Sequence, residues 1–117
     1  MGNIQARKPS SDLLTSDNYE IRIENVEADD NGYKAGDILT YDGATYSKAS
    51  LANDDNHTES YAVVYEDIDP DVTSGAIILL GGVRESLLSA DYQALSDDDK
   101  KVVRKELNAK KIIVENI

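Results

Sequence analysis

Residues 61–88 read YAVVYEDIDPDVTSGAIILLGGVRESLL, and this stretch decides the fold. It holds two apolar runs, 61–65 and 76–80, separated by an acidic loop that Gly75 closes. Runs this short, rich in Val, Ile and Tyr and bounded by turn residues, predict buried strands rather than helices. Gly81-Gly82 follows the second run and is expected to end that strand or to mark a close approach of backbones.

Working outward toward the N-terminus, residues 51–60 (LANDDNHTES) predict a polar loop. Ile38-Leu39-Thr40-Tyr41 and Ala44-Thr45-Tyr46-Ser47 are β-prone and flank Asp42-Gly43. That pair predicts a hairpin with a two-residue turn, both central residues at positive φ. Asp29-Asp30-Asn31-Gly32 predicts a further turn. Residues 19–26 alternate, with Tyr19, Ile21 and Ile23 on one face and Glu20, Arg22 and Glu24 on the other, which predicts a strand with one wet face. Residues 1–18 are mostly polar, with turn chemistry at Pro9-Ser10-Ser11-Asp12 and isolated apolar positions at Ile4, Leu13 and Leu14. They are expected to form a flexible arm ahead of a single domain, 19–117.

Toward the C-terminus, Ser89 is placed to cap a short helical turn over 90–95, and Ser96 a helix over about 97–109. Three Asp at the start of that helix and Lys100, Lys101, Arg104 and Lys105 later match the macrodipole at both ends. Glu106 and Lys110 are a favourable i,i+4 pair, and Val103 and Leu107 share a face with Val102 alongside. Residues 111–114 predict a terminal strand. The expected class is α+β, mostly β: a partly open barrel or a sandwich of short strands, with one or two short helices near the C-terminus.

A chain of 117 residues suits one domain. Phe and Trp are absent, so seven Tyr supply all the aromatic bulk and the core is aliphatic. The net charge of −11, from 23 acidic and 12 basic residues, repels phosphate backbones and anionic lipid, so neither nucleic acid nor membrane is an expected partner. With no Cys there is no disulfide, thiolate zinc site or thiol nucleophile. No apolar run approaches a membrane span, and Arg7 and Lys8 are followed by no apolar signal core, so no secretion signal is expected.

Few residues suggest chemistry. His57 is the sole histidine; Asp55 and Ser60 lie near it in a polar loop, with no scaffold to orient a triad. Asp67, Asp69 and Asp71 have the opening spacing of a calcium loop, but Pro70 interrupts it, Val72 replaces the loop glycine and Ile78 the bidentate glutamate. Gly81-Gly82 lacks the Lys-Ser/Thr of a phosphate loop. Among 23 acidic residues, chance carboxylate pairs carry no signal. No catalytic residue, metal ligand or cofactor is expected, and the chain reads as a non-enzyme.

The order of Gly36-Asp37-Ile38-Leu39, a hairpin, Ala62-Val63-Val64-Tyr65-Glu66-Asp67-Ile68-Asp69, then Gly82-Val83-Arg84-Glu85 with Leu87-Leu88, and a helix-then-strand ending over 95–114, resembles the bacteriophage head decoration proteins of the lambda D type, which stabilise capsids. The resemblance covers residues 34–114. It implies a small β-rich fold and trimers seated on the outside of the expanded phage head at local threefold positions. Its partner would be the major capsid protein, and its location the virion surface after assembly in the host cytoplasm. The implied work is mechanical, bridging capsid subunits against the pressure of packaged DNA. Ile4, Leu13 and Leu14 would then be the capsid-contacting positions of the arm, which is expected to order on the shell and add a strand there. The alternative is a small β-domain binding module on the virion or cell surface that recognises carbohydrate or another host ligand, with Tyr33, Tyr41 or Tyr46 stacking on sugar rings.

Overall fold

The computed structural model describes residues 13–15, 18–28, 30–49, 51 and 61–116. Six strands are found among the described residues: β1 (Glu20–Asn25), β2 (Ile38–Tyr41), β3 (Tyr46–Lys48), β4 (Ala62–Val64), β5 (Ser74–Arg84) and β6 (Ile112–Glu115). A 3-10 turn (Glu85–Leu87), a short helix α1 (Ala90–Gln93) and a longer helix α2 (Asp97–Ala109) separate β5 from β6. The class is therefore the expected one, sheet-rich, with the described helices lying toward the C-terminus.

The strands form one sheet in the order β1-β5-β4-β2-β3, antiparallel along this path, with β6 added parallel to β5. The sheet curls until Val26, just beyond β1, bridges Tyr46 in β3. Of the two forms the sequence left open, a partly open barrel is the better description. Tyr33 ties the seam: its hydroxyl donates to the Glu27 carbonyl and accepts the Lys48 N–H at 3.1 Å. A phenol 3% exposed thus keeps its polar tip satisfied while its ring fills the interior.

Curling gives the sheet two buried faces. Inside the curl lie Val26, Tyr33, Leu39, Ala62, Val64, Ile68 and Ile77. On the outer face, under the helices, Ile21, Ile78, Val63 and Ile38 form a cross-strand row spanning four strands. Tyr92, Val103, Leu107 and Ile112 pack against the same cluster. Strands β4 and central β5 show no polar alternation because both of their faces are covered.

The longer helix matches the expected span and cap. The Ser96 hydroxyl accepts the Asp99 N–H at 3.2 Å, and Val103 and Leu107 are fully buried while Val102 faces out. Its cations do not match the expectation, since none lies in the last turn. Lys110, one residue past the helix, takes that place, with Nζ 3.3 Å from Glu106. Lys111 does not begin the strand; it sits at φ 70° and ends the helix in the left-handed conformation usually filled by glycine.

Three local expectations are corrected. The hairpin between β2 and β3 has a four-residue loop, residues 42–45, with positive φ at Gly43 but not at Asp42. The Asp42 carboxylate accepts the Ala44 and Thr45 N–H groups, both at 2.8 Å, an Asx-type turn that competes with the two-residue form. Ile23 does not share the burial of Ile21: it is 56% exposed, and its cross-strand neighbour is the small Ala76, where Ile21 faces Ile78. Finally, Gly81-Gly82 does not end a strand. The backbone runs on to Arg84, with Gly81 at φ 128° and a Cβ there only 2.7 Å from that of Tyr19. Close approach, the other half of the expectation, is what the glycines provide.

Candidate functional site

The turn before β2, the end of β4 and the segment after the 3-10 turn meet at Gly36. Its N–H donates to the Val64 carbonyl at 2.9 Å, and its carbonyl accepts the Ser89 N–H at 3.0 Å. Val64 N–H in turn donates to the Asp37 carbonyl at 2.8 Å. Gly36 has φ 97°, and a Cβ there would lie 2.2 Å from the Leu87 carbonyl oxygen, so only glycine fits. Asp37, a buried carboxylate at 6% exposure, accepts the Lys34 N–H at 2.9 Å and closes the turn that presents Gly36. Gly36, Asp37, Val64 and Ser89 thus form a scaffold knot rather than a surface.

The arm enters this scaffold sooner than expected. Leu13 is 1% exposed inside the main core, and Leu14 bridges Val83. Arg84 N–H donates to the Leu13 carbonyl at 2.7 Å, and Thr15 N–H to the Gly82 carbonyl at 2.9 Å. Residues 13–15 therefore line the side of β5 that β6 leaves open. Leu13 is corrected from a candidate capsid anchor to a core residue of this chain, because its apolar side chain finds an internal cluster to fill. Leu14 is half-buried against the same core. Ile4 lies outside the described residues, as do Asp55, His57 and Ser60.

Glu85, Tyr92 and Arg104 form a clamp between the end of β5 and both helices. The Tyr92 hydroxyl donates to Glu85 Oε2 at 2.5 Å, and Arg104 Nη1 donates to the same oxygen at 2.9 Å and to the Tyr92 hydroxyl at 3.1 Å. Burial, then the hydrogen bond to Glu85, pushes the Tyr92 phenol up to about 12. The bond from Tyr92, with Arg104 beside it, holds the Glu85 carboxyl below its ordinary value. Glu85 is a charged acceptor and Tyr92 a neutral donor across the neutral range, so neither is poised to exchange a proton there. A cleft of about 480 Å³, lined in part by Gln93, Lys100 and Asn116, opens beside the clamp. The sequence names each of these residues but not their meeting, since Glu85 and Arg104 come together only when α2 folds back over the end of β5.

A second cluster is aromatic. Tyr41 in β2 and Tyr46 in β3 face each other in register and stack, with ring centroids 4.4 Å apart. Tyr61, just before β4, is tilted against Tyr41 at 6.3 Å, and Lys110 Nζ lies 4.3 Å over the Tyr61 ring. Of the tyrosines considered for stacking on a ligand, Tyr33 is ruled out by burial, whereas Tyr41 is 38% exposed and Tyr46 half-buried. Tyr61, 36% exposed, joins them through strand pairing that the sequence does not reveal.

Asp67, Asp69 and Asp71 do not assemble a cation site. Asp67 accepts the Ala35 N–H at 2.9 Å and pairs loosely with Lys34, and Asp71 sits at positive φ in the turn before β5. Among the described residues, no three His, Cys, Asp or Glu side chains are grouped to hold a metal. No described helix is long and apolar enough to cross a membrane. No protein-family model matches the chain, and no curated protein sequence matches it either.

Proposed function

We propose that this chain is a capsid decoration protein that binds the outside of an expanded phage head, as trimers at local threefold positions, and cements neighbouring major capsid subunits. The observation that carries this reading is the knot at Gly36. Residues 36–39 and 62–69, two of the segments that resemble the decoration family, hydrogen-bond to each other there, and the Leu87 carbonyl of a third packs against Gly36, which supports one fold for all three. The work is mass action, not chemistry: a protein that binds only the mature lattice stabilises it by its binding free energy, about 2.7 kcal/mol per site at a hundredfold excess over Kd. Many sites on one shell multiply the effect. The acidic surface suits a position outside the shell, away from packaged DNA.

The burial of Leu13 moves the reach onto the shell to residues before it, Ile4 among them. The test is co-sedimentation with empty expanded heads of the parent phage, followed by heating. Stoichiometric retention and a raised disruption temperature are expected. Deletion of residues 1–12, which spares the bridge to β5 at residues 13–15, is expected to reduce retention. Failure of the intact chain to bind such heads, or binding that leaves their disruption temperature unchanged, ends the proposal.

A further inference from the structure

Seven tyrosines are the only aromatic residues of this chain, and the structure segregates them. Tyr33, Tyr65 and Tyr92 are buried and Tyr19 packs against the main core. The two exposed tyrosines, Tyr41 and Tyr61, lie at one corner together with the half-buried Tyr46. The hairpin tip beside them is open, with nothing within 4 Å of a Cβ built at Gly43. Clustered exposed tyrosines are what binding surfaces use: rigid, amphipathic rings that lose little conformational entropy when covered.

The corner also shows which chemistry it accepts. Lys110 already places its ammonium 4.3 Å over the Tyr61 ring, within cation–π range. Among the described residues no cation sits over the Tyr41 or Tyr46 ring, and carboxylates stand near the pair. Asp42 follows Tyr41 directly and is held ionised by the backbone N–H groups of Thr45 and Ala44. Burial first, and then the Glu24 carboxylate, pushes the Tyr46 phenol up, while the Arg22 guanidinium, paired with Glu20 and Glu24, acts on it in the opposite sense. The whole molecule adds a net charge of −11. Ring faces flanked by carboxylates, on a strongly acidic protein, complement a guanidinium or ammonium group.

We infer that the Tyr41–Tyr46–Tyr61 corner is a docking surface for an arginine- or lysine-bearing segment of a partner protein, with the cation seated on the outer face of Tyr41. The inference does not depend on the capsid proposal, because it specifies a chemistry and is read without shells. Arginine is favoured over lysine, since a planar guanidinium both stacks on the ring and forks toward a carboxylate.

Ring resonances of the seven tyrosines give a direct readout. The intact protein is titrated with an Arg-Gly hexapeptide, a Ser-Gly hexapeptide and maltohexaose. The expected result is that the arginine peptide alone shifts the ring signals of Tyr41, Tyr46 and Tyr61. Tyr41→Ala should weaken its binding about fivefold, and Tyr41→Phe should leave it within twofold, because the ring face is kept. The wild-type shift map stands without any variant, should Tyr41→Ala fold poorly. The proposal is overturned if the arginine peptide binds while these rings stay unmoved, if a folded Tyr41→Ala binds it as wild type does, or if maltohexaose shifts the rings and the peptide does not. The last result would make the corner a carbohydrate site instead.

Discussion

The two halves of β5 are one continuous backbone held by different principles. From Ser74 to Leu80 the strand lies inside the sheet, paired antiparallel with β1 on one side and β4 on the other. From Gly81 to Arg84 its partners change to β6, in parallel, and to residues 13–15. The first half is held by aliphatic side chains packed on both faces, the second by backbone proximity that two glycines permit. The difference teaches that apolar bulk and its absence can each hold a strand in place: one fills space, the other lets a neighbour occupy it.

The sharpest break in that contrast is Ile78→Ala, which removes the centre of the cross-strand row. It is expected to cost about 4 kcal/mol, with Leu13→Ala, on the second half's flank, at about 3 kcal/mol. Urea denaturation of both variants checks this, and a Leu13→Ala cost near zero would return residues 13–15 to the arm.

The glycine pair comes next. Gly81→Ala forces a side chain onto φ 128° and against the Cβ of Tyr19, and should cost about 2–3 kcal/mol. Gly82→Ala meets chiefly the Thr15 hydroxyl at 2.3 Å, a side chain that can turn away, and should cost about 1 kcal/mol. Equal costs would show that the bend at Gly81 is not what requires glycine.

The clamp at the end of the second half gives a pH signature. Glu85 has its carboxyl lowered by folding, so its contribution is present above its ordinary value of 4.5 and is lost as pH falls through the lowered one. Tyr92 is raised to about 12, so its contribution is present below pH 10 and fades as pH rises toward 12. Tyr92→Phe should cost about 1–2 kcal/mol at neutral pH and abolish the alkaline loss attributable to this phenol, read from thermal midpoints across pH.

The smallest expected effect is a gain. Lys111→Gly relieves the left-handed residue between α2 and β6 and should stabilise by about 0.5–1 kcal/mol, sharpening the parallel β5–β6 pairing.

Much of this was legible in order along the chain. The apolar runs at 61–65 and 76–80, the cap at Ser96 and the helix it opens, and the strand after Lys111 are all found near where the residues put them. Ile23 was not legible, because alternation names a face without saying how far the cover over that face extends. The clamp was not legible either, since nothing near Glu85 in sequence announces Arg104.

What the sequence by itself determined is the set of local elements and their charge, because propensity, capping and hydrophobic period act over a few neighbouring residues. Only the tertiary structure decided that Leu13 is core rather than arm, that β5 passes through its glycines and changes partners, and that three tyrosines share a corner. Those outcomes depend on contacts between residues far apart in the chain, and which distant surface an apolar or aromatic side chain meets is set by the packing of the whole sheet, not by its neighbours in sequence.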